Sequence, residues 1–440
     1  MTLARHRLFL PALALALIGA ATALSLSLRG ASLPPALPAP NAAQRPVTRT
    51  DRLIWDYQEI VRREPQNVDA HAVLGAAYLQ KARETADPAY YAKAGQVLDA
   101  ALRLDGRHVD ALVARGALAL ARHNFGEALA LGEQARAISP DTARVYGVIA
   151  DAQIELGMYE AAVETIQTMV DLRPDLGSYS RVAYARELYG DLGGAIEAME
   201  QAVSAGGPAP ENTEWTRVQL GNLHFARGDL AAAEAQYRRS LAMLPDYVYA
   251  QAGLARVRAA QGRTGEALAL YRRAIERAPL PEFVIALGET LEAAGRRDEA
   301  AAQYELVRAM QRLFKAGGVD TDLELAQFEA DHGADPQAAL TMARAAYARR
   351  PGVKAADTLA WALHRAGAHA EARRYAEEAL RLGTQDALML YHAGMIARAQ
   401  GDAAAARAYL GRALALNPHF SPLYAPAARE ALAGLDKVTR

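Results

Sequence analysis

The 440-residue chain contains no cysteine, and this absence excludes several kinds of site. Disulfide bonds, thiolate zinc sites, iron–sulfur clusters and cysteine nucleophiles all require the thiol. An excess of one charge is also lacking, because 49 Lys and Arg stand against 50 Asp and Glu, giving a net charge of −1. A chain with this balance has no electrostatic footprint for general nucleic-acid binding.

Catalytic and cofactor motifs are missing as well. The sequence has no G-x-x-x-x-G-K-[ST] phosphate loop, no H-E-x-x-H zinc motif and no G-x-S-x-G nucleophile elbow. Asp320, Asp322 and Glu324 resemble the start of a calcium loop, but the glycine required at the sixth position is absent. His364 and His392 could approach each other, yet a zinc site needs a third protein ligand. We therefore predict no enzyme activity, no cofactor and no metal site.

The first 28 residues have the composition of a targeting segment. A basic start precedes residues 8–28, which carry no charge over 21 positions. The apolar core and the small residues that follow it fit a cleavable secretory signal peptide. The stretch is also long enough for a single membrane anchor, which needs about 20 apolar residues. Both alternatives predict that the rest of the chain leaves the cytoplasm.

Residues 29–50 carry five prolines and predict an extended linker, because proline can neither continue a helix nor donate to a sheet.

The chain as a whole is rich in apolar residues: 52% of the sequence is hydrophobic and 22% charged, which is typical of a folded protein. The 440 residues leave room either for about three ordinary domains or for one elongated repeat array.

One alanine recurs at a nearly constant interval through this folded part. The copies lie 33 to 39 residues apart, most often 33 or 34, at Ala94, Ala128, Ala162, Ala195, Ala233, Ala267, Ala300, Ala339, Ala372 and Ala406. A second small residue lies twelve positions earlier in most copies, at Gly116, Ala150, Ala183, Gly221, Ala255, Gly288, Ala360 and Gly394. A period of this length holds two helices of about 13 residues and two short turns.

Aromatic residues and glycines follow the same register. Tyr237, Tyr271 and Tyr304 lie four residues after the recurring alanine, on the same helix face, and are predicted to fill the space between neighbouring repeats. Glycines in the middle of the repeats, such as Gly157 and Gly228, are predicted to end the first helix in the left-handed conformation.

Three places depart from the period. The first repeat carries extra residues between its helices, around 82–92, and the segment 206–210 lengthens one junction. Around 308–319 a second helix is predicted to run on. The next helix then starts with Thr321 to Glu324, a sequence that matches a capping box.

The recurring alanines and small residues resemble the tetratricopeptide repeat (TPR) family. The resemblance covers the chain from about residue 50 to the C-terminus and implies an all-α fold, a right-handed α-solenoid of about ten TPR helical hairpins with terminal capping helices. It divides the solenoid at 51–440 into a half repeat at 51–66, ten repeats at about 67–420 and a C-terminal cap at 421–434. An array needs such a cap to cover its last apolar face.

Two segments, 317–326 and 391–397, resemble uncharacterised bacterial secreted or membrane-anchored TPR proteins. This closer resemblance implies a subfamily without an assigned activity. The composition of residues 8–28 predicts a place in the bacterial cell envelope or periplasm, with the protein either secreted or anchored to the inner membrane by this segment. Membrane contact is expected only through the N-terminal segment, if it is not cleaved.

The resemblance also implies a binding surface, because in this family the first helix of each repeat lines a concave groove. By register, the candidate partner-binding residues are Tyr184, Trp215, Asn222, Phe225, Tyr249, Arg256, Glu289, Phe328, Trp361, His364, Tyr391 and Met395. Aromatic side chains beside polar groups are typical of recognition surfaces, although aromatics at helical spacing also serve as core. The Lys/Asn clamp that some relatives use to hold a terminal carboxylate is not visible.

Two functions follow from this surface. The first is a non-enzymatic scaffold or adaptor in the cell envelope that binds an extended peptide or partner protein, and no nucleic acid, in the groove. The alternative is a carbohydrate-handling accessory protein for envelope polysaccharide assembly or export, since aromatic side chains along a groove also suit sugars.

Overall fold

The computed structural model describes residues 48–438 apart from 86, 208 and 317, and it does not describe the side chains of 316 and 436–438. The predicted targeting segment at 1–28 and nearly all of the predicted linker lie outside the described residues. Among the helices that the structure describes, none is both long and apolar enough to cross a membrane.

The described residues form 22 helices and no strand. A single helix, α1 (Arg49–Arg63), precedes ten helical hairpins, and a single helix, α22 (Tyr424–Val438), follows them. The hairpins are, in order, α2 (Val68–Thr85) with α3 (Ala89–Leu104), α4 (Val109–Ala121) with α5 (Phe125–Ile138), α6 (Ala143–Glu155) with α7 (Tyr159–Leu172), α8 (Leu176–Leu188) with α9 (Leu192–Ala205), α10 (Pro210–Ala226) with α11 (Leu230–Met243), α12 (Val248–Ala260) with α13 (Thr264–Arg277), α14 (Pro281–Ala293) with α15 (Arg297–Ala316), α16 (Asp322–His332) with α17 (Pro336–Arg349), α18 (Val353–Arg365) with α19 (His369–Ala379), and α20 (Ala387–Ala399) with α21 (Ala403–Leu416). The protein is an all-α solenoid of stacked hairpins, as the sequence predicts.

The recurring alanine packs at the centre of every hairpin, and all ten copies are at most 2% exposed. Close approach of the helices depends on the small residues too. The buried ring of Tyr237 lies between two first helices, where a Cβ on Gly221 or Gly253 would come within 2.6 and 2.5 Å of it. Tyr271 and Tyr304 are also buried, so the prediction that these tyrosines fill the space between repeats is confirmed.

The turns inside the hairpins follow the predicted glycine chemistry. Gly157 and Gly228 adopt φ values of 75° and 82°, a conformation that side-chain-bearing residues rarely take. Each first helix packs on its own second helix, and most also pack on the next first helix, as α4 does on α6 and α18 on α20. The first helices therefore lie on the inner side of the curved array.

The irregular places in the sequence become longer helices rather than long loops. The extra residues of the first hairpin extend α2 to Thr85 and start α3 at Ala89, and α15 runs on for 20 residues, as expected. The capping box predicted at Thr321 is wrong. Thr321 has φ −112° and ψ 20° and its side chain makes no capping bond; instead the Asp320 carboxylate accepts a hydrogen bond of 3.0 Å from the Asp322 amide.

The array coils so tightly that its successive turns touch. We call the line of contact the seam: it joins the turns inside hairpins 2 to 5 with the junctions that follow hairpins 7 to 10. At one end of the seam, His123 Nδ1 lies 2.8 Å from the Asp320 carbonyl oxygen. At the other end, the side-chain Nδ2 of Asn417 donates to the Phe225 carbonyl at 2.8 Å. The paired residues are 197 and 192 positions apart in the chain.

Two further bonds lie along the middle of the seam. The Val353 amide donates to the Tyr159 hydroxyl at 2.8 Å, and the Thr384 hydroxyl donates to the Leu188 carbonyl at 2.5 Å. These partners are 194 and 196 positions apart. The nearly constant separation means that one superhelical turn takes between five and six hairpins.

Candidate functional site

The inner wall, made by the inward register positions of the first helices, is closed at one end by a packed cluster of aromatic and charged residues. We call this the closed cluster: Asp331 of α16, Trp361 of α18, Tyr391 and His392 of α20, and Tyr424 of α22. The Trp361 indole nitrogen donates to the Asp331 carboxylate at 2.9 Å, and the Tyr424 hydroxyl donates to the same oxygen at 2.7 Å. First helices three repeats apart therefore meet across the hollow.

Ring contacts complete the closed cluster. Trp361 stacks on His392 with ring centroids 4.2 Å apart, and Tyr391 stacks on Tyr424 at 5.1 Å. Trp361 and Tyr391 are each 3% exposed, and His392 is 1% exposed. These side chains are core residues of the closed superhelix and are not available to a ligand in this conformation.

A buried ion pair lies next to this stack. His392 Nδ1 is 3.0 Å from the Asp357 carboxylate, and both residues are buried. Burial by itself would lower the pKa of His392, but the Asp357 carboxylate outweighs it and the pKa is raised. The pair joins hairpin 9 to hairpin 10, because Asp357 lies on α18 and His392 on α20.

His364 and His392, which the sequence suggested could approach each other, are separated by the indole of Trp361, with ring centroids 5.0 and 4.2 Å from it. Burial lowers the pKa of His364 to about 4. Among the described residues, no group of three or more histidine, aspartate or glutamate side chains is placed to hold a metal ion.

Away from the closed cluster, the inner wall remains accessible near the starts of α10, α12, α14 and α18. We call this the open row: Trp215 of α10, Tyr249 of α12, Glu282 of α14 and Lys354 of α18. Trp215 is 40% exposed, Tyr249 is half-buried, and Glu282 and Lys354 are exposed. All four occupy the position six residues before the small residue of their repeat.

The environment of the open row is a solvent-accessible hollow surrounded by protein. Desolvation by the surrounding protein raises the pKa of the Glu282 carboxyl, although this side chain is exposed to the hollow. Desolvation raises the pKa of Tyr249 as well. The Lys354 ammonium donates to the Tyr184 hydroxyl at 2.8 Å, across 170 positions of sequence. A small cavity lined in part by Tyr159, Tyr184 and Lys354 opens where the seam meets this hollow.

Three glutamates lie on α14, namely Glu282, Glu289 and Glu292, and the structure gives them different roles. The Glu289 carboxylate lies 3.3 Å from His332, and the Glu292 carboxylate accepts from the Tyr304 hydroxyl at 2.8 Å. Glu282 forms no ion pair with any residue that the structure describes. Only Glu282 therefore remains as an uncompensated carboxylate that a ligand could contact.

The twelve residues predicted for the groove are distributed over both ends and the middle of the wall. Four are buried: Phe225, Phe328, Trp361 and Tyr391. One, Trp215, is exposed. The other seven are half-buried: Tyr184, Asn222, Tyr249, Arg256, Glu289, His364 and Met395. The structure brings several of them together. Arg256 donates to the Asn222 side-chain oxygen at 2.7 Å and its guanidinium lies 4.2 Å from the centre of the Phe225 ring.

Two important residues of the wall were not predicted. Lys354 occupies the same register position as Trp215 and Glu282, six residues before the small Ala360, so the register could have identified it. Tyr424 lies four residues before Ala428, which is one period after Gly394 and fully buried. Its contact with Asp331 depends on the closure of the superhelix and has no local signal in the sequence.

Family models of the tetratricopeptide repeat match residues 119–187, 218–280, 354–385 and 387–420. The cellulose synthase operon protein C of Xanthomonas axonopodis pv. citri (strain 306) is 30% identical over an alignment of 309 residues, and the match covers 65% of this chain. The chain spans only 18% of the length of that curated relative.

Solved structures of two bacterial repeat proteins are also similar. A thermophilic TPR protein of Thermus thermophilus is 25% identical, covering 42% of this chain and 99% of that one, with a TM-score of 0.38. A tetratricopeptide repeat protein of Parabacteroides merdae ATCC 43184 is 16% identical, covering 55% of this chain and 97% of that one, with a TM-score of 0.40.

Proposed function

Because the chain belongs to the tetratricopeptide-repeat family, we propose that it is a non-catalytic interaction scaffold that holds an extended segment of a partner protein against the open row. The observation that carries this proposal is the accessibility of the open row. Trp215, Glu282 and Lys354 are all exposed, while the aromatic residues at the far end of the same wall are buried. We place this scaffold in the bacterial cell envelope, where the composition of residues 8–28 would direct it.

The open row offers the chemistry of a recognition surface. An exposed indole supplies apolar contact, and neighbouring groups of both charges supply direction. The Glu282 carboxylate has no cation beside it among the described residues, so it favours a basic or hydrogen-bond-donating group of the partner. Lys354 keeps two of its three ammonium donors beyond the bond to Tyr184.

The test is capture of partners from detergent-treated envelopes with the full chain, followed by mass spectrometry. Trp215→Ala and Glu282→Gln are expected to lose the captured partner while the helical circular dichroism is unchanged. Met243→Ala is the matched control, because Met243 is 64% exposed but lies on a second helix. Normal recovery of the partner by both open-row variants would contradict the proposal.

A second function is supported by the relative named as a cellulose synthase operon protein. A carbohydrate-handling accessory protein could use the same row, since indole faces stack on sugar rings and carboxylates accept from sugar hydroxyls. Titration calorimetry of the full chain with soluble cello-oligosaccharides distinguishes the two functions. Saturable binding that Trp215→Ala removes, together with an empty partner capture, would favour the carbohydrate function over the protein scaffold.

A further inference from the structure

The second helix of hairpin 7, α15, differs from every other second helix on its outer face. The residue six positions after the recurring alanine is Leu306 in α15, and it is 41% exposed. In the other nine hairpins this position carries alanine or a polar residue: Ala100, Gln134, Thr168, Gln201, Arg239, Arg273, Ala345, Glu378 and Arg412. Leu313, one heptad after Leu306 and in the part of α15 that runs on, is 58% exposed. Hairpin 7 thus places large apolar side chains where the other hairpins have small or polar ones.

The two leucines belong to an apolar row along α15. We call it the outer stripe: Ala302, Leu306, Ala309 and Leu313, at spacings of four, three and four residues. This is the spacing of a helix face that packs on another helix in a coiled coil. The core-facing side of α15 is a different one, since Val307 there is fully buried. Ala302 is exposed and Ala309 half-buried, so the outer stripe is a second apolar face that remains open to solvent.

Charged residues of opposite sign lie beside the outer stripe. Glu305 and Arg312 are seven residues apart and therefore lie on the same flank of α15. The Glu305 side chain is 72% exposed, and one of its oxygens accepts from Arg308 at 2.7 Å. Arg312 is exposed and forms no ion pair with any residue that the structure describes, whereas Arg308 and Lys315 each do. Arg312 is thus an uncompensated cation at the edge of an apolar face.

We propose that two copies of this chain associate through the outer stripe, with their α15 helices antiparallel. A two-fold axis beside Ala309 sets Glu305 of each copy opposite Arg312 of the other. Both ion pairs form together, because the two residues are equally far from the axis along the helix. Leu306 packs between Ala309 and Leu313 of the second copy, and the small side chain at the axis lets the helices approach closely.

The charges identify a second copy as the occupant of this face. The outer stripe with its two flanking charges is self-complementary, since rotation about the axis brings each acid against a base. A parallel pair of α15 helices would instead bring Glu305 level with Glu305 and Arg312 level with Arg312, and these like charges repel. Each copy contributes two leucines, so the contact is small, and we expect a reversible dimer that weakens as salt screens the ion pairs.

The association leaves the inner wall free. Because α15 is a second helix and the first helices lie on the inner side of the array, the two copies meet by their outer faces. The dimer carries two open rows, and a partner with two binding segments is held more tightly by both rows than by one. This gain in affinity rests on the proposed function, whereas the association of the two copies does not.

Charge exchange tests the arrangement by analytical ultracentrifugation of the full chain purified in detergent. Glu305→Arg and Arg312→Glu each set like charges at both contacts, so each variant is expected to stay monomeric at concentrations where the native chain is dimeric. A one-to-one mixture of the two variants is expected to regain the dimer, because both contacts then join an acid with a base. Arg239→Glu, at an exposed position of α11, is the matched control and should dimerise like the native chain.

The absence of native cysteine allows a second measurement. Ala309→Cys alone is expected to give a covalent dimer with a short bismaleimide, since the two thiols meet at the axis. Ala348→Cys, at the same register position of α17 and exposed, is expected to give none.

Three results would overturn the proposal. They are a native chain that is monomeric at every concentration, charge variants that dimerise like the native chain, and a folded Ala309→Cys chain that gives no crosslink. The crosslink decides the question if a charge variant fails to fold. Neither experiment depends on whether the open row binds a partner.

Discussion

The two ends of the inner wall carry similar residues in different environments. Trp361 and Trp215 both lie on first helices at inward register positions, yet Trp361 is 3% exposed and Trp215 is 40% exposed. The difference arises because first helices three repeats apart meet at the closed cluster and cover Trp361, whereas no comparable contact covers Trp215 among the described residues. Accessibility along this wall is therefore set by the curvature of the array and not by the type of residue.

The largest expected effect tests the closed cluster directly. Trp361→Ala removes a buried indole, its stacking on His392 and its bond to Asp331, and we expect the free energy of unfolding to fall by about 3–5 kcal/mol. Trp215→Ala is the matched control and should change it by less than about 0.5 kcal/mol. Denaturant unfolding of both variants measures this difference. Equal losses of unfolding free energy would show that the closed cluster and the open row are packed alike.

A smaller effect isolates the acceptor at the centre of the cluster. Asp331→Ala leaves the Trp361 nitrogen and the Tyr424 hydroxyl without their shared partner, and we expect a loss of about 2–3 kcal/mol. Glu282→Ala is its counterpart in the open row and is expected to leave unfolding almost unchanged, because no described ion pair is lost. The comparison fails if thermal unfolding shifts equally in the two variants.

The buried pair of Asp357 and His392 gives the closed cluster a pH dependence. In the fold the pKa of His392 is raised above 6.5, so the pair contributes its full stability below that pH and loses it as the pH rises through the raised pKa. Asp357→Asn should cost about 1–3 kcal/mol near pH 6, and the difference from the native chain should shrink at alkaline pH. Unfolding curves at both ends of this range measure it. A difference in unfolding free energy between the variant and the native chain that grows with pH would contradict this prediction.

The smallest effect concerns the seam that keeps the cluster closed. Thr384→Val leaves the Leu188 carbonyl without its donor and is expected to cost about 1 kcal/mol. The control is Thr341→Val, whose hydroxyl bonds within its own helix to the Gln337 carbonyl at an exposed site. If the melting temperatures of the two variants agree, the seam contributes nothing to the closed state.

The hairpins could be predicted from the sequence because they depend on local spacing. The recurring alanine and the small residue twelve positions before it bring two neighbouring helices together, and both partners lie within one repeat. The tyrosines and the turn glycines act over the same short range. Each of these predictions therefore needed only a single period of the sequence.

The closure of the superhelix could not be predicted in this way. Contacts such as that between Thr384 and Leu188 join residues 196 positions apart and depend on small rotations summed over between five and six hairpins. For the same reason the register placed Trp215 and Trp361 in one groove and could not tell which was accessible. The capping box at Thr321 failed because a neighbouring aspartate, Asp320, bonded the amide instead.

The seam has a consequence for how the gene for such a protein can change. In an open solenoid, losing one whole repeat shortens the molecule and leaves the remaining interfaces intact. Here a deletion between the two sides of the seam would displace every turn from its junction by one repeat, so that the hydrogen-bond donors of the seam would lose their acceptors. Copy number in the middle of the array is thereby constrained.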